Sequence, residues 1–349
     1  MAAKPAAPPL SSADLQARID RLPRVKLAFR PTPLEFMPRL SAALGGPRIF
    51  IKRDDLTGLA FGGNKTRQLE FVFAEIERLG CDSVVAGAYT QSNWCRQISA
   101  ACARRGLTAS LVLVHGVKGP YAQGNLLLDR LLGAQVRIVS EIDHMQHIAP
   151  YLREAVEALK AAGRKPYLID PFDMGVLSLS AVAYVEAFLE LDAQLTELGE
   201  SADAIYLAAT LMTAAGLHVG SAALGRKTKV VAVNPSRWDE PRETVIARIA
   251  TATAERLGID LAVAPEQVHN EPNYVGEKYG IVTDAAREAF LLVARNEGII
   301  LDPVYTAKAM SGLIGHIRAG RLGRDDTVVF LHSGGTPAVF AYAEELLQE

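Results

Sequence analysis

KRDDLTGLAFGGNKTRQLE, residues 52–70, is the stretch on which the reading of this chain turns. It continues an apolar strand pattern, Ile49-Phe50-Ile51-Lys52, and opens a helical pattern beginning near Lys65. The loop between them holds Gly58, Gly62 and Gly63. Glycines let backbone approach a ligand closely, and a helix start presents unpaired N–H groups and a positive dipole end. A solvated lysine is electrostatically disfavoured at that end. One alternative is a phosphate-binding P-loop, GxxxxGK[ST]. Gly58 and Gly63 have its glycine spacing, but Asn64 separates Gly63 from Lys65. The cradle needs the lysine directly after the second glycine, so the insertion breaks it. The other alternative is a Schiff-base lysine, partly desolvated so that it is a neutral nucleophile near pH 7. In that reading the glycines admit a flat carbonyl compound, and Asn64 donates to a phenolic oxygen beside the new bond.

Short apolar strands alternate with amphipathic helices along most of the 349 residues. Ser83–Gly87 precedes a helix from about Ser92 to Arg105, and Ser110–Val114 precedes one over Gln123–Leu132. Val136–Val139 precedes a helix ending near Ala162. Ala204–Ala208, Lys229–Val233 and Thr327–Leu331 are each followed by helical pattern. Continuous apolar runs mark strands covered on both faces. Repeated β–α order makes a parallel, doubly wound α/β architecture the expectation. A junction is expected around Asp170-Pro171-Phe172-Asp173, after a strand over Tyr167–Ile169.

Hydrophobic content of 49 % and charged content of 22 % fit a soluble globular protein. A formal net charge of −2 gives no reason to expect nucleic acid or an anionic membrane surface as partner. No apolar run approaches the length of a bilayer span. MAAKPAAPPLSSADLQ, residues 1–16, lacks the apolar core of a signal peptide and reads as a disordered leader. Cys81, Cys95 and Cys102 fit a reducing cytoplasm and a packing role. Neither CxxC nor HExxH occurs, so no metal site is expected.

Five segments occur in order: GGNKTRQLE in the opening stretch, TQSNWCRQ at 90–97, EKYG at 277–280, LDPVYTAKAM at 301–310 and HSGGTPA at 332–338. Together they resemble the D-cysteine desulfhydrase / 1-aminocyclopropane-1-carboxylate deaminase family, from about Pro31 to the C-terminus. The resemblance implies dependence on pyridoxal 5'-phosphate (PLP) and a two-domain tryptophan-synthase-β-like fold (PLP fold type II). Open, mostly parallel sheets would be flanked by helices. Residues 1–64 and 175–349 would form a large domain and 65–174 a small one. The cofactor would lie in the cleft between them, outside the carboxyl ends of strands. A homodimer acting on a small amino acid completes the picture.

The resemblance makes Lys65 the residue that carries PLP, an electron sink for carbanion chemistry. Ser92 and Asn93 sit at a strand-to-helix turn, where hydroxyl and N–H groups can bind a substrate carboxylate. Taken alone they read as an ordinary helix cap; the resemblance ties Ser92 to substrate contact and proton handling. Trp94 stands where the family has His or Gln, which alters the pocket's size and polarity. Tyr279 and Tyr305 match two active-site tyrosines, which stack or, with a depressed pKa, relay a proton. By composition alone they would be packing residues. Thr306 and Ser333 bear on substrate choice. Cyclopropane-opening relatives are expected to have Glu and Leu there, and D-cysteine desulfhydrases two hydroxyls. A glutamate near the pyridine nitrogen strengthens the electron sink, whereas a hydroxyl suffices when thiolate is the leaving group. The plain alternative is that both hydroxyls cap helices.

The chain departs from the family at the phosphate cup. A glycine-rich turn is expected to wrap the phosphate, but the corresponding stretch is Ala209-Thr210-Leu211-Met212-Thr213. Gln68 replaces a basic residue three positions after the lysine. Thr210, Thr213 and the following helix start are left to bind the anion. The expected function is therefore a cytoplasmic PLP-dependent lyase, with β-elimination of the D-cysteine desulfhydrase type giving keto acid, ammonia and sulfide. Ring-opening deamination and cysteate sulfo-lyase activity would use nearly the same residues. A non-catalytic ligand-binding relative with a degraded phosphate cup is the rival from another class. Against it stands the joint presence of Asn64, Lys65, Ser92 and both tyrosines.

Overall fold

The computed structural model describes residues 8–209 and 211–348. The strands in chain order are β1 (Leu34–Phe36), β2 (Arg48–Lys52), β3 (Ser83–Tyr89), β4 (Thr108–Val114), β5 (Gln135–Val139), β6 (Pro166–Leu168), β7 (Ala204–Ala208), β8 (Lys229–Val233), β9 (His269–Glu271) and β10 (Thr327–Leu331). Six of them form one sheet, β1-β2-β10-β7-β8-β9, and four form another, β5-β4-β3-β6. Only β1 runs antiparallel to its neighbour. The expected strands at 204–208, 229–233 and 327–331 are present with those bounds.

The apolar runs have the expected cause. Along β2, Ile49 and Ile51 join the core on one face, while Phe50 joins the core on the other. Along β3, Val84, Ala86 and Ala88 face one core, Val85 and Tyr89 another. With both faces covered, alternation in polarity has no physical basis. Register then positions the site. Leu331 pairs with Lys52, so the turns leaving β10 and β2 meet, and the Asn64 N–H donates to the Ser333 carbonyl at 3.0 Å.

Helix Met174–Glu197 corrects one expectation. Its 24 residues are long and apolar enough to cross a membrane by length and composition. In this fold 72 % of its apolar window is buried, because helices Asn64–Arg78, Leu211–Ala223 and Arg242–Arg256 pack around it. Gly216 makes the crossing possible: a Cβ there would lie 2.2 Å from the Ala181 carbonyl oxygen. A second correction concerns the leader. Residues 1–7 lie outside the described residues, but Ser12–Ile19 is a helix. The Ser11 hydroxyl accepts from the Asp14 N–H at 3.0 Å, and Leu15 and Ile19, one turn apart, are fully buried. Capping and an i, i+4 apolar pair suffice to order it.

A buried ionic cluster fixes the lysine-bearing helix to the large sheet. Arg67 donates to Asp54 at 3.0 Å and to Glu190 at 2.8 and 2.9 Å. Lys52 donates to Glu190, and the Tyr184 hydroxyl to Asp54, each at 2.5 Å. Burial acts to raise the Glu190 pKa, yet hydrogen bonds and charge from Arg67 and Lys52 hold it down to about 2. Removing one member of such a cluster strands a buried charge, at a cost of about 3–5 kcal/mol.

Candidate active site

The connections following β2, β3, β5, β6, β7, β8, β9 and β10 converge outside the carboxyl ends of the parallel strands. They enclose a cavity of about 330 Å³ between the two sheets. Asn64, Lys65, Ser92, Asn93, Trp94, Tyr279, Tyr305 and Ser333 all line it. The expected residues thus come together from positions up to 269 apart in sequence (64 to 333).

Lys65 lies in the first turn of helix Asn64–Arg78 and is 8 % exposed. Its Nζ stands 5.8 Å from the centroid of the Trp94 ring. Burial lowers its pKa from 10.5 to about 7, because an ammonium without bulk water is costly. A neutral amine at physiological pH is the species that attacks an aldehyde. The loop glycines serve another purpose than expected. Gly62 has φ 65°, and a Cβ there would lie 2.0 Å from the Asp55 carbonyl oxygen. A Cβ on Gly63 would meet Gln97 at 2.4 Å, and one on Gly58 would meet the Phe29 ring at 2.3 Å. None of the three lines the cavity. They let the loop pack on itself and aim Lys65; they do not admit a flat ligand.

Ser92 is both cap and cavity wall: it is the N-cap of helix Asn93–Arg105, and its hydroxyl accepts from the Cys95 N–H at 3.3 Å. Asn93 accepts from Asn125 at 2.9 Å and from Arg96 at 3.3 Å through Oδ1, which leaves its NH₂ as a donor. The hydroxyls of Tyr279 and Tyr305 are 2.8 Å apart, and Tyr279 stacks on Tyr89 with centroids 4.3 Å apart. Burial raises both Tyr279 and Tyr305 above the usual phenol range. Of the two alternatives, burial works against relay through a depressed pKa: Tyr279 stacks, and both phenols stay protonated at neutral pH as hydrogen-bond donors.

Thr306 does not line the cavity. It is fully buried, donates to the Asp302 carboxylate at 2.8 Å and accepts from the Asp302 N–H at 2.6 Å. Its donor and one of its acceptor positions are engaged by Asp302 and it stands outside the cavity lining, so the structure gives it a helix-start role where a cofactor contact was expected. Ser333 does line the cavity, and Gly335, not Ser333, is the cap of the 3-10 helix Thr336–Ala341.

At the far end of the site, Thr210 lies outside the described residues. Thr213 is fully buried and its hydroxyl accepts from Asn64 at 2.9 Å and from Gln68 at 3.0 Å. Helix Leu211–Ala223 begins immediately beside them, presenting first-turn N–H groups. Gln68 Oε1 is buried without a hydrogen-bond partner among the described residues. Rotating that amide lets Thr213 donate to it and turns the unpartnered atom into an NH₂ donor. An anion would take such a donor, together with the helix start. The residues present fit PLP at the aldehyde end through Lys65, and at the other end through the start of helix Leu211–Ala223, which reaches the cavity wall at Leu211 and Met212 with the neutral Thr213 and Gln68 buried beside it, outside the lining.

Further residues complete the walls: Leu211 and Met212 of the altered cup, Phe172 of the expected junction, and Tyr89, Trp238 and Arg242, which the sequence did not single out. Trp238 carried a usable signal: it is one of two tryptophans and lies in the connection that follows the strand Lys229–Val233.

The family described as pyridoxal-phosphate dependent enzyme matches residues 25–334. A 1-aminocyclopropane-1-carboxylate deaminase of Burkholderia ambifaria is 39 % identical over 333 residues, covering 93 % of this chain and 98 % of the relative. One from Burkholderia vietnamiensis is 38 % identical with the same coverage. The crystal structure of an ACC deaminase homologue superposes with a TM-score of 0.86 at 34 % identity, over 96 % of this chain and 98 % of that one. The processed form of threonine deaminase isoform 2 from Solanum lycopersicum, at 18 % identity and TM-score 0.64, covers 98 % of this chain and 89 % of that one and shares the fold alone. The chain belongs to the pyridoxal-phosphate dependent enzymes and, within them, to the 1-aminocyclopropane-1-carboxylate deaminase / D-cysteine desulfhydrase family.

Proposed function

We propose that this PLP-dependent enzyme catalyses β-elimination from a small amino acid, with D-cysteine as the nearest simple substrate. Water and D-cysteine would give pyruvate, ammonium and hydrogen sulfide. The observation that carries the reading is Lys65, its pKa brought down to about 7 by burial, in one cavity with a hydrogen-bonded pair of tyrosines. When bound, PLP supplies an electron sink for charge at the substrate's α-carbon. Ser92 and the Asn93 NH₂ would orient the substrate carboxylate. Lys65, as a free amine, would take and return protons at carbon. Tyr305, held by Tyr279, would donate to the departing group, which suits a phenol kept protonated. Trp94 and Tyr89 would exclude water.

The choice of leaving group rests on polarity. Asp170 and Glu240 are the only carboxylates lining the cavity among the described residues, and they are engaged by the Phe172 N–H and by Arg248, which leaves no free carboxylate in the lining to strengthen the electron sink. A weaker electron sink suits a leaving group that departs readily, such as thiolate. Ring-opening deamination is the second reading, favoured by the names of relatives 38–39 % identical over nearly their whole length. Keto acid release from D-cysteine and from 1-aminocyclopropane-1-carboxylate, measured side by side, separates them. Faster release from D-cysteine is expected; faster ring opening would carry the second reading instead.

A further inference from the structure

The cavity lining contains a cation that makes no salt bridge among the described residues, with Glu240 near enough for its charge to act on it. Arg242 begins helix Arg242–Arg256, and its guanidinium stacks 3.9 Å from the centroid of the Trp238 ring. Among the described residues it makes no ion pair. The nearest candidate, Glu240, is taken by Arg248, which donates to it at 2.8 Å. Asp170, the other carboxylate in the lining, accepts from the Phe172 N–H at 2.9 Å. Burial pulls the Arg242 pKa down to about 10, which leaves the group cationic at neutral pH.

The arginine is also held in place. Trp238 meets His144 edge to face at 4.8 Å and Phe172 at 6.4 Å. Both belong to connections of the other sheet, so the platform under Arg242 is clamped across the cleft. His144 Nε2 lies 3.1 Å from the Arg237 carbonyl oxygen, adding a polar tie. Phe172, Met174, Leu177, Val245 and Trp238 line the same cavity as Arg242 and Lys65, an apolar wall beside a positive charge. The asymmetry is chemical. D-Cysteine carries no group that would reach or need a guanidinium beyond its own α-carboxylate, whose donors are at Ser92 and Asn93.

Resting on the elimination reading above, we propose that the physiological substrate is a β-substituted amino acid whose departing group has an apolar stem and an anionic end, bound by Arg242 on its Trp238 platform. The reaction balances as R–S–CH₂–CH(NH₃⁺)–COO⁻ plus water giving R–SH, pyruvate and ammonium, with R carrying the anion. The C–S bond breaks, its electron pair leaves with sulfur, and nothing is oxidised.

An isosteric pair tests this: S-carboxymethylcysteine and S-carbamoylmethylcysteine, each as both enantiomers, with PLP content measured in every sample. Acid and amide differ in charge and scarcely in shape. A charge-assisted hydrogen bond corresponds to about ten- to a hundredfold, so the acid should be preferred in kcat/KM by that factor, expressed in KM. Arg242→Gln should bring the acid-to-amide ratio close to one, and Arg242→Lys should restore part of it. An unchanged ratio in Arg242→Gln overturns the proposal, as does loss of PLP from that variant, which would make Arg242 a phosphate ligand. Binding to Lys65→Ala, followed by tryptophan fluorescence, is independent of turnover. If wild type turns over neither compound, the elimination reading fails. An Arg242-dependent preference for the acid in Lys65→Ala would then still uphold the anion site, and its absence would sink that as well.

Discussion

The two ends of the inner cavity are built by opposite strategies. At one end, burial lowers the Lys65 pKa to about 7, so that a large share of its amine is neutral at physiological pH, and the tyrosines facing the same cavity are kept protonated by the same means. At the other end, where an anion is to be held, the side chains in place are neutral: Thr213, Gln68 and a helix start. Burial is an asset where a proton must be tuned and a handicap where a charge must be bound. The lesson is that the reacting end is over-determined while the anchoring end depends on a few hydrogen bonds.

The sharpest way to break that contrast is at the reacting end. Tyr305→Phe keeps the ring and its edge-to-face contact with Tyr279, and removes only the donor. If the phenol protonates the departing group, kcat should fall by about 10²- to 10⁴-fold with PLP content unchanged. A fall confined to KM would reassign Tyr305 to binding. The anchoring end is expected to respond in the other direction. Gln68→Lys restores a cation beside Thr213, and a charge-assisted hydrogen bond of about 1.5–3 kcal/mol should tighten PLP by roughly ten- to a hundredfold. Titration of apo-protein measures it. Tight wild-type binding unmoved by the substitution would mean that the neutral donors already suffice.

Thr306 tests where the site stops. Thr306→Val removes a hydrogen bond to a buried carboxylate and should cost about 1–3 kcal/mol of stability in urea unfolding. The absorption of bound PLP should stay where it is. A shifted absorption band would bring Thr306 back into contact with the cofactor.

How much of this could be read from sequence depends on the range of the forces involved. The strands at 204–208, 229–233 and 327–331 were legible because burial on both faces writes a continuous apolar run into a few consecutive residues. Lys65 was legible because a lysine at a helix start conflicts with local electrostatics. Gly62 was recognised but misread, since its positive φ answers to the Asp55 carbonyl within the loop, not to a ligand. Thr306 was misread because Asp302, its partner, looks like any strand-to-helix aspartate until the turn is seen. Arg242 and Trp238 escaped notice because their meaning comes from His144 and Phe172 across the cleft, about 70 to 100 residues away in sequence. Helix Met174–Glu197 shows the same limit: its apolarity on all sides is explained only by the helices that surround it.

Burial fits Lys65 to be the nucleophile that would hold the cofactor. The direct measurement is borohydride trapping of apo-protein mixed with PLP across a pH series, followed by peptide mass spectrometry. The lowered lysine pKa means that the amine is protonated and unreactive below about 7 and free above it, so capture should rise through about pH 7, well below the 10.5 of an ordinary lysine. The account predicts one reduced adduct, on Lys65, absent from Lys65→Ala. An adduct on another lysine, or capture that begins only near the ordinary lysine range, would contradict it.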